Sequence, residues 1–77
     1  MTKEQLTEKI KEIAKESTGT DLTEEGTLKE RGLDSLSLVA VIAGIEETFG
    51  FFFRDNDLEP DKLKTLGELV SLTEKYL

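Results

Sequence analysis

The sequence contains no cysteine, which excludes a disulfide framework, a thiolate metal site and a thiol nucleophile of its own. It contains no histidine either, which removes the usual general base at neutral pH and the commonest transition-metal ligand. An independent enzyme is therefore not expected, and any reactive group the protein presents has to be attached to it. Basic residues are in the minority, 10 against 17 acids, for a formal charge of −7. Nucleic acid is excluded as a partner on that balance, because its phosphates demand a basic patch. Long hydrophobic runs are also missing: the longest, Leu38 to Ile45, falls far short of a membrane span. The opening Met-Thr-Lys-Glu-Gln lacks the apolar stretch of a secretory signal and is too acidic for a transit peptide. The compartment is accordingly read as cytoplasmic.

What is present describes a small folded unit. Hydrophobic residues make up 36% and charged residues 35% of the 77 positions, too apolar a mixture for simple disorder. That length is read as one domain over residues 1–77, a monomer, with little core to spare. The acidity is uneven. From Asp34 to Asp61 there are seven acids against one base, Arg54, a net of −6, while the remainder nets −1. A concentrated acidic surface suits basic patches on partner proteins and speeds encounter, though it also serves simply to keep a small domain soluble.

Thr2 and Gln5 form a capping box that opens a first helix. Leu6, Ile10, Ile13 and Ala14 follow at helical spacing as its buried face. Glu8–Lys11 and Glu12–Lys15 are expected as weak outer-face pairs, and Gly19 as a left-handed cap. Residues 20–33 show no helical stripe, only Leu22, Leu28 and Leu33 as apolar pegs. A second helix is predicted over Ser35–Phe49 with Asp34 as N-cap and Gly50 as its stop. It is apolar on two sides. Leu38, Val41, Ile42, Ile45 and Phe49 read as core; Leu36, Val39, Ala40 and Ala43 lie on another side, for burial or for a partner. Gly44 in mid-helix costs about 1 kcal/mol relative to alanine and implies close helix contact or room for a chain. In Phe51-Phe52-Phe53 the outer two anchor a loop and the middle one points outward. Pro60 opens a short turn, Asp61 to Lys64. Thr65 and Glu68 form a second capping box for a last helix with the stripe Leu66, Leu69, Val70, Thr73, Tyr76 and Leu77. The expected fold is all-α, three main helices and one short one with a long first loop, a small four-helix bundle. Asp55, Asp57 and Glu59 alternate like calcium ligands, but Pro60 stands where such a loop needs glycine and Leu66 where it needs glutamate, leaving a solvated acidic turn.

The run Leu28-Lys29-Glu30-Arg31-Gly32-Leu33-Asp34-Ser35-Leu36 resembles the attachment motif of acyl carrier proteins and their peptidyl carrier relatives. Glu46-Glu47-Thr48-Phe49-Gly50 and Thr65-Leu66-Gly67-Glu68-Leu69 are similar to the family's later helix boundaries. The resemblance implies that Ser35, flanked by the motif residues Asp34 and Leu36, receives 4′-phosphopantetheine from coenzyme A through a separate phosphopantetheinyl transferase using magnesium. It implies that the protein carries acyl or aminoacyl thioesters between a loading ligase or transferase and downstream synthases, with no catalytic residues and no metal site of its own. It further implies a docking face at Leu36, Val39 and Ala43, with Glu46 and Glu47 acting in encounter. Ser35 sits where a helix N-terminus favours an anion. Ser37 and Ala40 stand where fatty-acid-synthesis carriers usually have acids, and Phe52 where the family often has a charge. Fatty-acid, specialised lipid, polyketide and peptide pathways therefore all stay open. The alternative is an unmodified acidic helical module whose second helix docks into a partner groove.

Overall fold

The computed structural model describes residues 1–77, the side chain of Pro60 excepted. The first helix, α1 (Lys3–Thr18), begins at the expected box: Gln5 N–H donates to Thr2 Oγ1 at 3.1 Å, and Thr2 N–H donates to Gln5 Oε1 at 2.9 Å. It stops at Gly19, whose φ of 74° a side chain would strain. Leu6, Ile10, Ile13 and Ala14 are all buried. The second, α2 (Ser35–Phe49), stops in the same way at Gly50, with φ of 76°. The third, α3 (Leu66–Lys75), is opened by Thr65, whose Oγ1 accepts from Glu68 N–H at 3.1 Å while Glu68 Oε1 accepts from Thr65 N–H at 3.1 Å. No strand is present among the described residues.

The fourth helix differs from the expectation. Two three-residue 3-10 turns, Asp55–Asp57 and Pro60–Lys62, replace one turn over Asp61 to Lys64. After the second, Leu63 turns into the core and the Lys64 carbonyl accepts a hydrogen bond from Leu28 N–H at 2.8 Å. Lys15 pairs with Asp21 at 3.3 Å, across the α1 terminus, rather than with Glu12, whereas Lys11–Glu8 forms at 3.5 Å. Leu77 lies beyond the last turn of α3 and is exposed instead of completing its stripe.

A single cluster of buried side chains joins α1, α2 and α3 to the loops, and Leu22, Leu28 and Leu33 are fully part of it. Of the predicted α2 core, Val41, Ile42 and Ile45 are buried, while Leu38 and Phe49 are half-buried at its margin. At Gly44 side chains of α1 press directly on the backbone of α2. A Cβ added there would lie 2.6 Å from Ile13 Cγ2 and 3.1 Å from Ser17 Oγ. Close packing, not a passage for a chain, explains the glycine. Ile13 is buried and β-branched, so its methyl has little freedom to retreat. Gly44→Ala should therefore destabilise despite alanine's better helix propensity. An overpacking cost of about 1–3 kcal/mol exceeds a propensity gain of about 0.5–1 kcal/mol. Urea unfolding of the variant should show a lower midpoint, and a raised one would mean that α1 can shift freely away from α2.

Candidate functional site

Ser35 is the first residue of α2 and its side chain is exposed. Asp34 has extended backbone, and its Oδ1 accepts from Ser37 N–H at 2.8 Å while its carbonyl accepts from Leu38 N–H at 2.8 Å. The cap is thus the one the sequence predicts. The Ser37 N–H holds the Asp34 carboxyl below the ordinary carboxylate range. Ser35 is neither cap nor bonding partner, so its hydroxyl is left to other chemistry.

Beside Ser35 lies a cavity of about 440 Å³. Leu28, Leu33, Leu38 and Leu63 give it apolar lining, and the exposed Lys29 and Lys64 line it too. Two non-adjacent segments make it. The first loop turns at Thr27, where Glu30 Oε1 accepts from Thr27 N–H at 2.8 Å and Thr27 Oγ1 accepts from Glu30 N–H at 3.1 Å. The Leu28–Lys64 backbone bond then ties this turn to the segment leading into α3. The Thr27–Glu30 box escaped the sequence reading, although its Thr-x-x-Glu spacing was a visible signal.

Along α2, Leu36 is 84% and Val39 63% exposed, and Ala43 is exposed, so this side of the helix is uncovered. Glu47 is exposed beside it. Glu46 is not equivalent to Glu47: it is half-buried, and its Oε2 accepts from Phe53 N–H at 2.8 Å. Its carboxylate fixes the following loop rather than standing free for a partner. In that loop Phe53 is buried and Phe51 half-buried, with Phe52 84% exposed between them. Phe51 stacks on Tyr76 at 5.1 Å and Phe53 meets Tyr76 edge-on at 5.0 Å. Tyr76 also donates its hydroxyl hydrogen to Asp57 and accepts from Arg54 N–H at 2.9 Å. That bond keeps the Asp57 carboxyl low and raises the tyrosine. Asp57 is therefore a structural acid, and no group of acids able to hold a metal ion occurs among the described residues.

The sequence and the fold were compared with known proteins. A family model described as a phosphopantetheine attachment site matches residues 4–73. The chain belongs to the acyl carrier protein family. An acyl carrier protein of Thermotoga maritima is 40% identical, over 97% of this chain and 95% of its own length. One from an Exiguobacterium species is 35% identical over the full length of both. Among solved structures, the crystal structure of the Thermotoga maritima acyl carrier protein superposes with a TM-score of 0.80 at 30% identity, covering 95% of this chain and 87% of that one. The solution structure of a holo acyl carrier protein from Nitrosomonas europaea gives 0.66 at 26% identity, over 96% and 93% of the two chains. The carrier's prosthetic group is 4′-phosphopantetheine. The site fits it: an unencumbered hydroxyl, apolar lining and two lysines suit a phosphodiester continued by an arm in which methyl and methylene groups alternate with amides and a hydroxyl. No helix of the carrier is long and apolar enough to cross a membrane among the described residues.

Exposure separates the two sides of α2 energetically. Val39→Asp on the uncovered side should leave stability within about 0.5 kcal/mol. Ile45→Asp, at a fully buried position, forces a carboxylate into the core and should unfold a domain whose whole stability is about 5–15 kcal/mol. Circular dichroism melts of both variants check this, and equal damage from the two would make the Val39 side part of the core.

The acid limb offers a separate check. Asp34 has a lowered folded value, so its stabilisation is complete above the ordinary carboxylate range and is lost as pH falls through that range and then through the lowered value. Asp34→Asn retains a capping side chain but cannot titrate. Its urea midpoint should fall less steeply with decreasing pH than the wild type's, and parallel curves would show that the cap is not ionised.

Proposed function

We propose that Ser35 is the residue that bears 4′-phosphopantetheine, and that residues 1–77 act as a stand-alone carrier domain rather than as an enzyme. The observation that carries this reading is the free, exposed Ser35 hydroxyl at the opening of α2, with the cap duty already taken by Asp34. Ser35 Oγ forms the bond to phosphorus and gives up its proton, while the nucleotide portion of coenzyme A leaves. Asp34 fixes the backbone that presents this oxygen, and the first turn of α2 favours the negative charge that arrives there. The bound arm supplies a terminal thiol, on which acyl or aminoacyl groups ride as thioesters.

The partners are a phosphopantetheinyl transferase, a loading ligase or transferase, and synthases, working in the cytoplasm. Leu36, Val39 and Ala43 are the docking face, with Glu47 and the other exposed acids steering encounter. Their exposure supports this, and so does the shortage of acids in the first turns of α2. Burying a side chain such as Val39 contributes roughly 1.5–3 kcal/mol, against about 0–1 kcal/mol for an exposed ion pair. Docking is therefore chiefly apolar. Relatives named acyl carrier proteins support cargo of the acyl class, as in fatty-acid biosynthesis.

Intact-mass measurement after incubation with coenzyme A, magnesium and a broad-specificity transferase tests the assignment. Wild type should gain one phosphopantetheinyl group and Ser35→Ala none. Equal modification of the variant would refute it by moving the arm to another residue, and an unmodified wild type with several competent transferases would leave an unmodified docking module.

A further inference from the structure

The cavity beside Ser35 has the opposite charge bias to the rest of the carrier. On a chain of net charge −7 it is lined by two lysines and one acid, Asp34. Lys29 and Lys64 are far apart in sequence and are brought together by the Leu28 N–H to Lys64 carbonyl bond of 2.8 Å. Each follows a buried leucine, Leu28 or Leu63, both 3% exposed, so each lysine is anchored at its base and exposed beyond it. Neither ammonium has a carboxylate within 4.0 Å among the described residues, a state shared with Lys3, Lys9 and Arg54, whereas Lys11, Lys15, Arg31, Lys62 and Lys75 are paired. The neighbouring acids are already engaged: Glu30 accepts from Thr27 N–H, and Glu68 from the N–H groups of Lys64 and Thr65.

A phosphodiester on Ser35 also meets an adverse feature. Asp34, the adjacent residue, is a carboxylate kept ionised by its own cap bond, and that bond consumes the Ser37 N–H. Like charges so close oppose each other, and one of the helix's free donors is no longer available to the newcomer. Cations outside α2 would add to what its first turn offers, and two lysines line the same cavity.

Resting on the assignment of Ser35 above, we infer that Lys29 and Lys64 form a cationic rim that takes the phosphodiester of the arm and lays the root of the arm over the floor of Leu28, Leu33, Leu38 and Leu63. The ammonium groups are donors on flexible stems and act as point charges towards an anion whose position they need not match as a rigid fork would. A carboxylate at the end of a cargo has the same anionic chemistry, so the test separates the two sources.

The test uses full-length protein in apo and holo forms, as wild type, Lys29→Gln/Lys64→Gln and Lys29→Arg/Lys64→Arg. The holo forms carry a free thiol, a butyryl group or a succinyl group. Intact mass first establishes modification in every sample. At low salt the arm's phosphorus resonance should shift between wild type and the double Gln variant, equally for all three loads, and the Arg variant should stay near wild type. The holo-minus-apo difference in unfolding temperature should be more favourable in wild type than in the double Gln variant. Both effects should collapse at about 1 M salt, where screening acts within about 3 Å. Identical resonances and identical temperature differences in wild type and the double Gln variant would overturn the rim. Dependence on the lysines seen with the succinyl load alone would overturn it as well, assigning the cations to a cargo carboxylate. Modified protein without lysine dependence removes this inference alone, and failure of Ser35 to be modified removes it together with the assignment it rests on.

Discussion

The helix α2 is apolar on two sides, and a chain of 77 residues has enough remaining surface to cover one of them. Which side is covered is fixed at Gly44, where the missing Cβ lets α1 settle against α2 through Ile13 and Ser17. With that contact made, Val41 and Ile45 are fully buried, and Leu36 and Val39 are left outside. The rotation of α2 also determines where Ser35 emerges. Ser35 precedes Leu36 in the first turn, so the packing that exposes Leu36 keeps the serine at the surface beside it. The exposed Ser35 hydroxyl and the uncovered apolar side are therefore consequences of one packing choice.

The two loops flanking α2 hold it in register by different means. The first has no regular ladder and is fastened by buried leucines, the Thr27–Glu30 box and one backbone bond to Lys64. The second is fastened by aromatic contacts around Tyr76 and by Glu46, which satisfies the Phe53 N–H from within α2 itself. Both arrangements leave backbone donors paired where repetitive structure is absent, as an ordered loop requires. In the second loop the alternation of Phe51, Phe52 and Phe53 has a further effect: anchoring the outer two forces the middle ring into solvent.

The features legible in the sequence were those decided within a turn or two of chain. The Thr2 and Thr65 boxes, the Gly19 and Gly50 stops, the Asp34 cap and the faces of α1 and α2 depend on spacing alone, and the structure has them where the spacing predicts. The motif around Ser35 was legible for the same reason. Apart from the Thr27–Glu30 box, which was missed at a spacing of three, what was not legible depends on how the chain folds back after a helix stops. Nothing near Lys15 indicates that Asp21 will fold back within reach, and nothing near Asp57 names Tyr76 as its donor. Glu46 reads as a surface acid until the loop after Gly50 brings the Phe53 N–H to it. The cavity beside Ser35 was hidden most completely, because Leu63 and Lys64 reach it from the segment before α3.

Charge acts on this carrier at two ranges, and the signs differ. Exposed acids between Asp34 and Asp61 set the potential that a partner meets from outside, over a screening length of about 8–10 Å at moderate salt. That field governs approach. In the cavity beside Ser35 two lysines face one acid, and the surrounding carboxylates are held by backbone N–H groups in caps. A negatively charged group tethered at Ser35 is thus repelled by the distant surface and retained by the near one. On the proposed reading, an acidic surface for partner encounter and a cationic edge for an anionic arm coexist on so small a domain because capping holds the intervening carboxylates in place.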